Sequence, residues 1–497
     1  MQRPMGGPSL NVYKAQWNIA CGLPQTDHTT TNAAAPINIV YVKDGALKQS
    51  SQLSVYAMTF AGRQRMQIVL LCLSILIFEW ICYVLAVEPV YRYAGFTITF
   101  SIAKMLEAGI CVIAVGLFLP CRVRQPSDFF NHLLFIFPVS AMSVLYFAQD
   151  APRLFYYLSV ACFFIVLITT RLASFDRLRL PPASPNIGLF VLGSLLAIGL
   201  VNLIVSGAWR YFNLEIFHVY ETRSATNEIV GGGAFGYLSP WAFEIAGPWL
   251  FMISMAKRKY VVAIVLFLTQ LFIYGSTGYK SFLGIVLFML IMYYYVLSRN
   301  CLKRLYVLIL SIIGIAILEW QIIGSNFFSG VIVRREFFVP ALLNYAYYLM
   351  AEQYGYVWWS DSFLRFFDPY TWSVGTAEMA SYFMWGHVNI HANTGFLGAG
   401  YLDAGAFGMV IYSVILGLLL RICDRAIVSR ISSRFAMAVV SPSLMTVFDS
   451  SDLLTALFTH GVGLLLVILW LLGGTDKGHA NAPLVPDHKV LRSARGG

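Results

Sequence analysis

Charge is what this chain has least of. Only 12% of its 497 residues are Asp, Glu, Lys or Arg, against 58% hydrophobic. That balance excludes an ordinary soluble domain, which would have apolar surface left over and nowhere dry to put it. None of the eight cysteines forms a C-x-x-C pair; they sit in apolar segments, near the N-terminus (Cys21) or in short basic loops (Cys121, Cys301, Cys423). Neither a disulfide framework nor a zinc site is therefore expected. Residues 1–65 contain no apolar run long enough for a signal peptide or a span. The chain also lacks matched halves and the long basic central loop that separates two six-helix bundles, which argues against a secondary transporter. Its net charge of +10 would suit nucleic acid in a soluble protein. In a membrane protein basic loops serve topology first, so no nucleic-acid partner is expected.

Long hydrophobic runs are what the chain does have, and they make it an all-α polytopic integral membrane protein. Runs at about 66–87, 96–119, 129–148, 154–170, 186–207, 237–256, 260–276, 281–298, 305–323, 404–421, 435–450 and 453–472 predict about twelve transmembrane helices. Each suits a hydrocarbon core about 30 Å thick. Residues 1–65 read as a disordered cytoplasmic tail, with Met58 and Met66 as alternative starts, and 474–497 as a second cytoplasmic tail. The basic residues test the orientation: Arg63/Arg65, Arg122/Arg124, Arg171/Arg177/Arg179, Lys257/Arg258/Lys259, Arg299/Lys303/Arg304 and Arg421/Arg425/Arg430/Arg434 fall in alternate loops. By the positive-inside rule both termini are cytoplasmic, and two loops of about 208–236 and 324–403 lie outside.

The few cations outside run against the topology rule. Arg92 and Arg153 read as interfacial anchors or ion-pair partners. Arg223, Lys280, Arg334 and Arg335 each stand where an external loop meets a span, a placement suited to an anionic lipid head such as a phosphate or pyrophosphate. Of the ionisable residues within spans, Lys104 and Glu107 are spaced i, i+3, with Glu79 expected at similar depth on the preceding helix. An interhelical ion pair or triad is the preferred reading and a proton relay the alternative. Glu319 is a further acid in a span. Glu244, between two prolines in YLSPWAFEIAGPWLF, is a carboxylate candidate for a cavity open to the outside.

The richest stretch runs from Arg334 to Asp424. It joins RREFFVPALLNYAYYLMAE to HANTGFLGAGYLDAGAFGMVIYSVILG, through rings at 337–385 expected to form an interfacial helix and belt. Glycines at 395, 398, 400, 405 and 408 permit a tight loop and close helix approach. These blocks, with RQPSDFFNHLLFIFPVSAMSVLYF, FHVYETRSATNEI, STGYKSFLG and LLTALFTHGVGLLL, resemble in order and spacing the O-antigen polymerase (Wzy-type oligosaccharide repeat-unit polymerase) family, over residues from about 120 to 465.

The resemblance implies a bacterial inner-membrane glycosyltransferase, metal-independent and without cofactor, distantly GT-C-like, with a large periplasmic loop before the last three helices. It implies that repeat units carried on undecaprenyl pyrophosphate are joined at the periplasmic face, with a chain-length regulator and a flippase as partners. An O-antigen ligase, or a lipid-linked-sugar flippase or transporter, is the alternative. For that chemistry the pyrophosphate leaving group needs cations, for which Arg223, Lys280, Arg334 and Arg335 are the candidates. The acceptor hydroxyl must lose a proton, with His391 the best-placed external imidazole and Glu228, Glu244 and His387 its rivals. Asn393 and Tyr401 complete the expected substrate-binding set.

Overall fold

The computed structural model describes residues 45–172, 184–215, 222–226, 235–298, 300–362, 370, 372–388, 390–426 and 431–473, with backbone alone for 45–61. Contacts divide the chain into residues 1–60 and 61–497. Every described element is helical, and eight helices are long and apolar enough to cross a membrane. The tail expected at 1–65 lies outside the described residues as far as 44; from Gly45 the backbone is helical. The C-terminal tail, 474–497, lies outside them too.

Helix α1 runs Gly45–Cys82 and continues through a wide π turn, Tyr83–Val87, so that its apolar span is Gly62–Ala94. Then come α2 (Ile102–Phe118), α3 (Pro126–Ala148), α4 (Arg153–Arg171) and α5 (Pro185–Val205). Helix α6 is built of three pieces, Phe235–Pro240, Trp241–Ala246 and Gly247–Ala256; α7 (Tyr260–Thr277), the shorter apolar α8 (Lys280–Val296) and α9 (Cys301–Ile323) follow. The long loop holds α10 (Ser329–Phe338), α11 (Val339–Tyr354) and α12 (Thr376–Trp385), and the chain closes with α13 (Phe396–Ala426), α14 (Ser433–Asp449) and α15 (Leu453–Gly473). Proline explains two of the irregular turns. Pro138 and Pro248 have no N–H for the carbonyl one turn back, and the helix widens at Phe135–Val139 and Trp241–Ala246.

Helix α3 is the hub: its apolar window is entirely buried, whereas only 28% of that of α5 is. The chain alternates between two ends around it. At one end Arg65 and Arg171 donate to the last carbonyls of the α2 segment, Leu119 and Phe118, Arg421 donates to Gln125, and Arg434 donates to the Tyr293 carbonyl at 2.7 Å. Arg65, Arg171 and Arg434 thereby satisfy backbone carbonyls near helix ends. At the other end, rich in loops, Thr99 N–H reaches the Ala148 carbonyl at 2.7 Å and Asn213 N–H the Gly275 carbonyl at 2.9 Å.

Two expectations are corrected here. The triad of Glu79, Lys104 and Glu107 does not form. Lys104 sits in the first turn of α2, not at mid-span, and pairs with Asp150 at 2.6 Å. Glu107 pairs with Arg153 at 3.1 Å, and Glu79 accepts from Ser140 Oγ at 2.8 Å, deep in the bundle. Arg92 and Arg153 are ion-pair partners as expected, Arg92 of Glu88. The aromatic belt is corrected in part: Phe337, Phe338, Tyr345, Tyr347 and Tyr348 are buried in the bundle, while Tyr354, Tyr356, Trp358 and Tyr382 are exposed. Phe337 stacks on Phe137, at the middle of α3, with centroids 4.9 Å apart, and Tyr345 donates to the Met142 carbonyl at 3.0 Å. Apart from Asn344, α11 is apolar from Val339 to Ala351, so burial is the stable state of that stretch.

Candidate functional site

The site begins at a break in α13. Ala404 and Gly405 leave helical geometry, Gly405 at φ 61°, a conformation that costs a residue with a Cβ. The break frees the carbonyls of Leu402 and Asp403, and the N–H groups of Val357 and Trp358 take them at 3.0 and 2.8 Å. Trp358 and Trp359 are themselves left-handed, with φ of 49° and 60°, a strain of about 1–3 kcal/mol each that the surrounding bonds must hold. Beyond the break Gly408 packs on Gly400, where an added Cβ would stand 2.1 Å from the Gly400 carbonyl oxygen. The broken helix thus presents Asp403, buried at 5% exposure, which accepts from Tyr412 Oη at 2.7 Å. Trp359 Nε1 donates to the same hydroxyl at 3.1 Å.

Two more carboxylates converge on this point from distant parts of the chain. Asp452 is the N-cap of α15, accepting from the Thr455 N–H at 3.0 Å, while its second oxygen has no partner among the described residues. Asp361, at the end of the loop that bridges the break, accepts from Thr376 Oγ1. Part of Asp361 stays open to water. Even so, the protein packed about its carboxyl, followed by the charge of Asp452, pushes it up to about 6. Burial raises Asp452 as well.

A cavity of about 220 Å³ lies between these groups, lined by Asp361, Asp403, Asp452 and Glu378, by Tyr347, Asn393 and Thr394, and by His460. The HANTG loop forms one wall. Tyr347 Oη donates to the Ala392 carbonyl at 3.1 Å and the Ala392 N–H to the Ala377 carbonyl at 3.2 Å, tying the loop to α11 and α12. At the rim His391 Nδ1 stands 2.7 Å from Glu378 Oε1, with the imidazole 70% exposed. This is a nitrogen base held by a carboxylate. Among the described residues no cluster of three or more His, Cys, Asp or Glu is arranged to hold a metal ion.

The residues singled out from sequence fall into three places. Asn393 lines the cavity, His391 stands at its rim, and Tyr401 lies just behind it, donating to Glu352 at 2.7 Å and packed on Tyr348. Arg223, Lys280 and Glu244 form a second group. Arg223 lies 4.4 Å over the Tyr279 ring, Lys280 opens α8, and Ser281 Oγ donates to Glu244 at 3.3 Å. Arg334 and Arg335 are on α10, Arg334 4.3 Å over the Tyr91 ring and Arg335 exposed. Neither group lines the cavity. Both lie at the loop-rich end with it, and α6 links the second group to it: Trp241 Nε1 donates to the Phe458 carbonyl at 3.1 Å, two residues before His460. Glu228 lies outside the described residues, and His387 offers its carbonyl to Ser381 Oγ at 2.7 Å.

Asp361, Asp403, Asp452 and His460 escaped the sequence reading. A signal existed for Asp403, a lone acid inside an otherwise apolar, glycine-rich helix start. For Asp361 and Asp452, each in a polar SD run, nothing local marks them out. No family model matches the chain, and no curated protein or solved structure matches it.

Proposed function

We propose that the chain is a repeat-unit polymerase of surface polysaccharide, with twelve spans in the bacterial inner membrane, both termini cytoplasmic and the loop-rich end in the periplasm. One observation carries this reading. Three blocks on which the family resemblance rests, from RREFFVPALLNYAYY, HANTGFLGAGYLDAG and LLTALFTHG, line a single cavity through Tyr347, through Asn393, Thr394 and Asp403, and through Thr455 and His460. The four further spans that the proposal needs are the helices α2, α6, α8 and α14.

The chemistry assigned to this end transfers a glycan from undecaprenyl pyrophosphate to a sugar hydroxyl of the next lipid-linked unit. His391, oriented by Glu378, takes the hydroxyl proton as the oxygen bonds the anomeric carbon. The bond from that carbon to the pyrophosphate oxygen breaks, and its electron pair leaves with the phosphate. Arg335 and Arg334 on one side, and Arg223 and Lys280 beside Glu244 on the other, offset the charge that develops there. Asn393 positions the acceptor, and Tyr401, behind the cavity, supports the wall through Glu352 and Tyr348. A chain-length regulator and a flippase are the partners this role calls for.

The test is the polysaccharide ladder of a deletion strain, resolved by gel, with mass determination of the surviving glycolipid. Collapse to one repeat unit per lipid A core is expected. Polymer retained on undecaprenyl pyrophosphate would make the chain a ligase instead, and repeat units held on the cytoplasmic leaflet would make it a transporter.

A further inference from the structure

The cavity sets carboxylates among hydroxyl groups and the amide of Asn393. Asp361, Asp403, Asp452 and Glu378 face it, and among the described residues neither Lys nor Arg does. Carboxylates ask for donors, and a second carboxylate or a phosphate placed among them would meet like charge, with no Lys or Arg of the described lining to offset it. A separate observation indicates that a ligand is wanted. Thr394, only 2% exposed and on the cavity wall, has a hydroxyl with no partner among the described residues, as does one oxygen of Asp452. Polar atoms left so in a protein interior are costly unless something else completes them. The size is also informative: about 220 Å³ is below the roughly 300–1,000 Å³ of sites for drug-sized ligands, which leaves room for a single ring.

We infer that the cavity is a subsite for one non-anionic sugar ring, held through its hydroxyls by Asp452, Thr394 and Asn393, and that it rejects sugars bearing a carboxylate or phosphate. This rests on the polymerase reading, in which the bound ring is the acceptor end of the incoming repeat unit. The ring's free hydroxyl then faces His391 at the rim, so the subsite selects which units can be extended.

The experiment is saturation-transfer NMR on the full chain in lipid nanodiscs. The probes are the methyl glycosides of glucose, galactose, mannose, rhamnose and N-acetylglucosamine, with methyl glucuronide as the anionic counterpart of the first. At least one neutral probe should bind and the glucuronide should not. Thr394→Val keeps the side-chain shape and Asp452→Asn keeps the helix cap; each should weaken binding about tenfold or more. His391→Gln should leave binding intact while polymer is lost. Silence from every neutral probe would overturn the inference, as would equal binding of the glucuronide or unchanged binding in both T394V and D452N. Stoichiometric uptake of Ca²⁺ or Mg²⁺ abolished by D452N would overturn it in favour of a cation site. The two readings fail separately. Sugar binding in a protein whose deletion strain keeps its ladder removes the polymerase and leaves the subsite; a lost ladder with no neutral sugar bound does the reverse.

Discussion

At the scale of the residue, the proposed polymerase would divide its work between a base at the rim, His391, and cations elsewhere on the same end of the bundle. His391→Gln keeps a polar side chain but cannot carry a proton away, so polymer formation should fall by about a hundredfold or more; near-normal chains on a gel would end its role as base. Glu378→Gln should cost less, because the imidazole remains and only its orienting carboxylate is lost. Arg335→Ala should abolish long chains while the protein stays inserted and abundant, which an immunoblot of membranes beside the ladder checks. Asp361 offers a test of the electrostatics. Its folded value of about 6 lies above the 3.8 of a free carboxyl, so the folded state holds the proton more tightly. Stability should therefore fall as pH rises from about 4 to about 6 and stay lowered above that range. Asp361→Asn removes this dependence, and its midpoint of thermal unfolding should exceed that of the parent at pH 7 but match it near pH 4.

At the scale of the element, the break in α13, together with α11, α12 and the start of α15, builds the cavity. A continuous helix would satisfy the carbonyls of Leu402 and Asp403 internally. Broken at Gly405, it recruits the loop at Val357–Trp358 and with it Asp361. Gly405→Ala should destabilise the protein by about 1–3 kcal/mol, because φ 61° with ψ −145° is a backbone region essentially confined to glycine. Gly408→Ala should cost more, because its Cβ would meet the Gly400 backbone and not a side chain that can move aside. Thermal unfolding of the two variants in detergent orders them. Glu319 shows how an acid read as a residue within a span acts at its end. It accepts from the Phe327 and Phe328 N–H groups at 3.1 and 2.7 Å, capping the start of the segment that carries Arg334 and Arg335.

At the scale of the whole molecule, the alternation of the chain between a basic end and a loop-rich end is the frame for everything else. If cations and not a metal offset the leaving-group charge, EDTA should leave polymerisation by purified protein unchanged, and clear inhibition would count against the mechanism. The membrane character and the eight long apolar helices were legible from hydropathy alone, since the period and length of an apolar run are properties of neighbours along the chain, whereas the start of α1, residues 45–65, and α10 to α12 were not. The glycines of α13, Asn393 and His391 were legible too, all within one conspicuous stretch. What packing alone decided is which polar groups meet. Lys104 turned to Asp150 and Glu107 to Arg153, because where α2 begins sets the depth of both. Asp361, Asp403 and Asp452 come from a loop, a helix break and a helix cap, and their convergence depends on how α11, α13 and α15 pack. Hydrophobicity is summed locally and can be read in order, whereas an electrostatic site is a sum over distances that exist only once the chain has folded.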